Sequence, residues 1–291
     1  MLSRSAAWKA LVVVALDARP GGTAVRWSRI GGSGLSTAWA LRVGPRRYFV
    51  KVAPASAGAG FAAEVEGLRA IDRTGAVRVP SVVRYGTGAD TAWLVLEWLD
   101  LVNGGRGAAL GRALALLHAT TAPRFGWHRD NTIGPTPQAN DWCDDWTAFF
   151  RDRRLVPQLE LAARNGHADL AQAGYALLQR ILDLLADHRP RPSLLHGDLW
   201  SGNAATLAGG EPVIFDPAVY YGDAEADIAM AALFGGFDTA FFEAYASVAP
   251  LASGHVRRRT LYNLYHVLNH ANLFGGGYLA QARRMMDELS R

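Results

Sequence analysis

The run His196-Gly197-Asp198-Leu199-Trp200-Ser201-Gly202-Asn203, followed shortly by Val213-Ile214-Phe215-Asp216-Pro217, limits the fold of this chain more than any other feature. An aspartate, an asparagine five positions on and a second aspartate closing a short apolar strand need a fold that sets a loop beside a strand end. Phosphoryl transfer is the chemistry that uses such a set, because it asks the protein for positioning, Mg2+ and neutralisation of charge rather than for covalent work. In that chemistry Asp198 accepts or orients the proton of an attacking hydroxyl. Asn203 and Asp216 offer the oxygen ligands that a hard cation prefers, and His196 braces the loop. Alone, each reads as a turn residue or a helix cap; in this order they read as a site.

The first hundred residues are strand-rich. The segments 23–30 and 36–43 alternate apolar and polar positions around Gly31, Gly32, Ser33 and Gly34, and 46–52 follows the turn signal Gly44-Pro45. A helix is expected over 57–71, with Phe61, Val65, Leu68 and Ile71 at helical spacing, then strands near 82–85 and over 91–99. Lys51, one of two lysines in the chain, ends the third strand, where an ammonium would meet the α/β-phosphates of a nucleotide. Glu64, early in the helix, is the expected partner for Lys51, with Glu66 as the rival that faces differently. The glycine-rich segment would bring backbone N–H groups to phosphates. It lacks the G-x-x-x-x-G-K-[ST] pattern of a P-loop and does not open a helix as a dinucleotide fingerprint does. Backbone groups of Glu97, Trp98 and Leu99 stand where a hinge would hold adenine.

Past the Asn-Gly-Gly punctuation at 103–105, helical patterns cover 108–121, 143–162, 168–188, 224–248 and 256–290, around a loop-rich stretch at 122–142. The chain has 291 residues, half of them hydrophobic, enough for two lobes sharing a cleft. A net charge of +4 with no Lys/Arg block suits phosphate-bearing ligands and argues against nucleic acid. The single cysteine, Cys143, excludes an internal disulfide framework and is compatible with a cytoplasmic location. Trp8, Leu11, Val12, Ala15 and Leu16 fall on one helix face, better than as a signal peptide. No apolar run approaches the ~18 residues of a membrane span.

With those residues in place, the sequence resembles the fructosamine kinase family, or ketosamine-3-kinases, a branch of the protein-kinase-like superfamily. The resemblance rests on "LLHGDLWSGN" (194–203), "IFDPAVYYGDAEADIAM" (214–230), "RFGWHRDNTIGPTPQANDWCDDWTAFFRDRRLVPQ" (124–158), "FVKV" (49–52), "FAAEVEGL" (61–68) and "LEWL" (96–99). It implies an α+β, two-lobed protein-kinase-like fold, with a small antiparallel-sheet N-lobe carrying one main helix (1–102) and a larger, mostly helical C-lobe (103–291). It implies ATP and Mg2+ as cofactors, Asp198 as proton acceptor, Asn203 and Asp216 at the metal, Lys51 with Glu64 on the phosphates and 97–99 at adenine. The implied reaction is phosphorylation of O3 of a fructosamine or ribulosamine, free or on a protein lysine. That step destabilises the adduct and returns the amine. Trp200 is either an aromatic wall for the sugar or a core tryptophan. Asp223, Glu225 and Asp227 either meet the substrate's amine or, as favoured, cap and anchor the next helix. Trp127, Asp130, Asn131 and Trp142 are further candidates for the acceptor pocket. The glycine-rich loop lacks the cysteine some members use for redox cross-linking, and Asp216-Pro217 departs from Asp-Phe-Gly, which argues against activation-loop control. The alternatives are an aminoglycoside or choline phosphotransferase, and a nucleotide-binding scaffold without turnover. The expected state is a monomer or a homodimer.

Overall fold

The computed structural model describes residues 7–17, 24–32, 36–102 and 106–291. Helix α1 (Ala7–Ala15) precedes strands β1 (Val25–Gly31), β2 (Thr37–Val43) and β3 (Arg46–Pro54), helix α2 (Gly58–Asp72), and strands β4 (Val82–Thr87) and β5 (Thr91–Glu97). The five strands form an antiparallel sheet in the order β1-β2-β3-β5-β4. Strand periodicity sorts its side chains onto two faces. Val50, Val52, Trp93 and Val95 join Trp8 and Val12 of α1 on one face. Ala53, Leu94 and Leu96 pack with Phe61, Val65, Leu68 and Ile71 of α2 on the other. The apolar N-terminal helix therefore covers its own sheet, and Lys9 lies 4.7 Å from the ring centre of Trp39. Because Val50 and Val52 face α1, Lys51 between them projects toward α2.

The C-terminal part begins with the short strand β6 (Leu101–Val102) and helix α3 (Ala108–His118), then the hairpin β7 (Asn131–Ile133) and β8 (Thr136–Gln138). Helix α4 (Trp146–Phe150), a π-helical turn over Arg151–Leu155, and helices α5 (Val156–Arg164), α6 (Ala168–Leu178) and α7 (Ile181–Leu185) follow. Strands β9 (Ser193–Leu195), β10 (Ala204–Leu207), β11 (Pro212–Ile214) and β12 (Tyr220–Gly222) make small ladders: β6 and β11 flank β10, and β12 pairs with β9. Helices α8 (Glu225–Leu233), α9 (Thr239–Val248), α10 (His255–Phe274) and α11 (Gly277–Leu289) complete the fold. An antiparallel sheet followed by a helical part is the architecture the sequence implied. Helices fill 224–248 and 256–290 as expected, two in each range, parted where glycines adopt positive φ, Gly235-Gly236 and Gly275-Gly276. Helix α3 lies so close to α9 that a Cβ on Gly111 would come within 2.1 Å of the Phe241 carbonyl oxygen, which requires glycine there.

Helix α10 is buried along most of its length, and its polar residues need internal partners or pKa shifts. His266 is 5% exposed and its Nδ1 has no hydrogen-bond partner. Burial, with His270 and Arg154 nearby and despite Asp227, pushes its pKa down to about 3 from 6.5. Between those values only the unfolded chain takes up the proton, so stability falls as pH drops from 6.5 towards 3. His266→Gln should make the stability-versus-pH slope between pH 6 and 5 shallower, by up to about 1.4 kcal/mol per pH unit. Chemical denaturation at several pH values checks this; equal slopes for both proteins would contradict it.

Candidate active site

The Asp198 loop is held from behind. Asp227, two residues into α8, accepts from the backbone N–H groups of His196 (2.7 Å) and Gly197 (2.9 Å). His118 Nε2 lies 3.2 Å from the same carboxylate, and the Tyr245 hydroxyl is 2.8 Å from His118 Nδ1. Burial acts to raise the Asp227 pKa, but these donors hold it below the ordinary aspartate value, so it stays ionised. Gly197 has φ +81, and a Cβ there would meet the Ala218 carbonyl oxygen at 2.1 Å. Burial keeps the His196 ring neutral, with Nε2 3.0 Å from the Phe215 carbonyl and Nδ1 positioned to accept from the Asp198 N–H. His196 thus ties the loop to the strand that carries Asp216, as the bracing role requires.

In front of the loop, Asn203 Nδ2 donates to the Asp198 carbonyl (2.9 Å) and to Asp198 Oδ2 (3.2 Å). Lys51 Nζ lies 2.8 Å from Glu64 Oε1 and 2.6 Å from Asp216 Oδ1. Burial works against the Lys51 ammonium, but the two carboxylates outweigh it and raise its pKa above the usual lysine value. Burial raises the Glu64 pKa, against the pull of the Lys51 ammonium beside it. Glu66, the rival for Lys51, turns away to His128 Nε2 (3.0 Å) and Arg129 (2.7 Å). Burial and the nearby Asp216 push Asp198 up to about 7. Asn203 Oδ1 and Asp216 Oδ2 have no hydrogen-bond partner among the described residues. An amide oxygen and a carboxylate oxygen beside Asp198 form a donor set that fits Mg2+.

The flanking candidates divide. Gly32 has φ +148, and a Cβ would fall 2.5 Å from the Ser36 carbonyl oxygen, so the turn after Gly31 needs glycine; Ser33 and Gly34 lie outside the described residues. At the expected hinge, the Glu97 N–H is already donated to the Ser81 carbonyl, and the Glu97 side chain grips Arg78 at 2.6 and 2.5 Å. The Leu99 carbonyl accepts from Leu101, leaving the N–H groups of Trp98 and Leu99 without a backbone partner among the described residues. Trp200 is 41% exposed, which settles its core-or-wall alternative in favour of a surface ring. It folds over Gly202, where a Cβ would meet the indole at 2.2 Å. Beyond it stand Phe234 (6.4 Å between ring centres), His270 (5.1 Å from Phe234) and Tyr278 (5.0 Å from His270).

Asp223 does not join this group. It is 3% exposed and held by His188 and the Tyr262 hydroxyl, while its other oxygen caps the N–H of Glu225. Glu225 in turn pairs with buried Arg258. Asp223, Glu225 and Asp227 are core anchors, the favoured alternative. Trp127 and Trp142 stack on Tyr221, Asp130 caps Asn140, and Asn131 is buried, so none gathers at Trp200. The aromatic group at Phe234, His270 and Tyr278 escaped the sequence reading. Its trace was an aromatic directly before a glycine pair, at Phe234 and again at Phe274.

The Asp227 anchor is testable by stability. Asp227→Ala strands two buried N–H groups and the His118 ring and should lower unfolding free energy by about 3 kcal/mol or more. Asp227→Asn, which keeps one acceptor, should lose less. Denaturant unfolding that finds both variants within about 1 kcal/mol of the parent would contradict the anchor.

Comparison with known proteins places the chain in a family. The fructosamine kinase family matches residues 12–291. A Synechocystis protein assigned as a ketoamine kinase is 46% identical over 90% of this chain and 89% of its own. The chloroplastic protein-ribulosamine 3-kinase of Arabidopsis thaliana is 42% identical over 90% of this chain and 82% of its own. A Thermobifida fusca crystal structure assigned as a fructosamine-3-kinase superposes with a TM-score of 0.82 at 33% identity, covering 93% and 95% of the two chains. An aminoglycoside phosphotransferase, at 17% identity and a TM-score of 0.66 over 97% of each chain, shares the fold. With a family match over nearly its whole length and relatives this similar, the chain belongs to the fructosamine kinase family.

Proposed function

We propose that the protein transfers the γ-phosphoryl group of ATP to the O3 hydroxyl of a ketosamine, a fructosamine or ribulosamine carried by a small amine or a protein lysine. The observation that carries the reading is the meeting of Lys51 with Glu64 and Asp216, next to the Asp198–Asn203 pair. The relatives named for ketoamine and ribulosamine phosphorylation support the acceptor class. Residues 1–102 and 103–291 act as two lobes on either side of the nucleotide. No helix among the described residues is long and apolar enough to cross a membrane, and the chain works in the cytoplasm.

In this reading the Lys51 ammonium, aligned by Glu64, neutralises the α/β-phosphates, while backbone N–H groups after Gly31 and Gly32 approach them. The backbone at Glu97–Leu99 receives adenine, through the unpartnered N–H of Leu99. Asn203 Oδ1 and Asp216 hold Mg2+, which when bound neutralises charge developing on the phosphates. Asp198 takes the O3 proton as that oxygen attacks, and it must be ionised to do so. Its pKa near 7 without metal keeps it a competent base near neutrality. Trp200, with Phe234, His270 and Tyr278 beyond it, offers aromatic faces to the sugar and its amine. These faces suit one sugar adduct better than a polycation.

Purified protein with Mg2+-ATP, offered ribulosamine, fructosamine, choline and an aminoglycoside, tests the reading. Turnover is expected on a ketosamine, with phosphate on O3 by NMR. Asp198→Asn should lose about 100-fold or more in kcat. Turnover on choline or the aminoglycoside alone would overturn the acceptor assignment, and ATP binding with no turnover on any of them would overturn the enzyme.

A further inference from the structure

The segment 124–158, long and rich in aromatics and amides, supplies none of the groups that meet nucleotide in the reading above, on which this inference rests. Four of its buried polar side chains, Asn131, Gln138, Asn140 and Arg154, form one connected chain. Arg154, on the π-helical turn, is fully buried with no carboxylate partner among the described residues. It donates to the carbonyls of Ala139 (2.6 Å) and Arg153 (2.9 Å) and to Asn140 Oδ1 (2.7 Å), and its guanidinium lies 4.0 Å from the ring centre of Tyr220. Asn140 Nδ2 donates to Asn131 Oδ1 (2.9 Å), which also accepts from Gln138 Nε2 (2.7 Å), across the hairpin pair Asn131↔Gln138. The chain ends on two carbonyls: Asn131 Nδ2 donates to Val219 (2.8 Å) and Gln138 Nε2 to Ala218 (3.3 Å). The Tyr265 hydroxyl closes it from α10 by donating to Gln138 Oε1.

Those carbonyls directly follow Asp216-Pro217, and Asp216 has φ +59, one of two non-glycine residues among those described with positive φ. A side-chain-bearing residue keeps such a conformation only where its surroundings over-determine it. Here the following segment is held from both sides: Ala218 N–H donates to the His196 carbonyl, while the amides of Asn131 and Gln138 hold the carbonyls of Val219 and Ala218. The same segment also reaches α2, through His128 and Arg129 on Glu66. Gly67, on α2, stands where a Cβ would press at 3.2 Å on Pro217 and Val219. A buried cation with only neutral acceptors polarises the amides that take its hydrogen bonds and stiffens the chain they form.

We propose that Asn131, Gln138, Asn140 and Arg154 are positioning residues that set the Asp216 carboxylate for its metal, with the Glu66 grip keeping α2 and Glu64 in line. The orientation of Asp216 is then fixed by folding alone, with no segment that must be modified or rearranged first.

Arg154→Met removes the buried cation and risks the fold, so the near-isosteric Asn131→Asp carries the test, with Gln138→Met beside it. In Asn131→Asp the acceptor for Gln138 and Asn140 remains, the donor to Val219 is lost and a buried carboxylate is added, so Gln138→Met, which adds no charge, reads the same loss of grip without it. Binding of a non-hydrolysable ATP analogue is measured by calorimetry with and without Mg2+, and thermal midpoints are recorded in parallel. The Mg2+-dependent gain in affinity should fall about tenfold or more in both variants, while metal-free nucleotide binding stays within about twofold. A lower midpoint with the Mg2+-dependent gain unchanged would overturn the proposal and leave the network as packing. The readout needs no acceptor, so an error in the assigned substrate would show in the turnover panel and not here.

Discussion

One buried ammonium shared between two carboxylates organises this molecule. Lys51 comes from the sheet, Glu64 from the helix laid across it and Asp216 from the end of a strand in the other half of the chain. A buried charge without partners is costly, and a lysine would release its proton before accepting that cost. The pairing thus fixes three things together: α2 faces the sheet, the Asp216 strand lies beneath it, and the two halves of the chain meet at this point. The grips of Arg78 on Glu97 and of His128 and Arg129 on Glu66 lie to either side of that meeting.

Two aspartates on the two sides of the Asp198 loop, Asp227 behind and Asp198 itself in front, sit in opposed environments. Asp227, ringed by two N–H groups and the His118 ring, is stabilised as an anion and serves structure. Asp198 has an amide from Asn203 but is otherwise buried beside Asp216, and its proton affinity rises to about 7. Both lie close to the same loop, and the difference comes from the neighbouring Asp216 carboxylate at Asp198 against the N–H groups and histidine rings around Asp227. This separation gives the loop a rigid rear and a reactive front.

Much of this was legible in the sequence, for reasons particular to a few residues. Lysine is so rare in the chain that Lys51 at a strand end stood out, and the spacing of Asp198, Asn203 and Asp216 left few other readings. Glu64 over Glu66 followed from helical geometry. What stayed hidden was decided by tertiary partners. Asp223 stood open between the substrate's amine and the favoured helix anchor until His188 and Tyr262 enclosed it, and the Glu97 N–H looked free until Ser81 took it. The helical patterns over 224–248 and 256–290 did not show where each range divides, because a run of glycines does not reveal its φ. Those breaks carry Phe234 and Tyr278 to the neighbourhood of Trp200. The truss from Arg154 to Val219 was invisible because asparagine and glutamine in a proline-rich stretch look like loop surface.

The account turns on the Lys51 cluster being the phosphate and metal site. Determining the structure of the protein with Mg2+ and a non-hydrolysable ATP analogue tests that most directly. The account predicts Lys51 Nζ on α- or β-phosphate oxygens with Glu64 still paired to it, and a metal ion bound by Asp216 and Asn203. A nucleotide seated elsewhere, or a metal ion that does not touch Asp216, would contradict it.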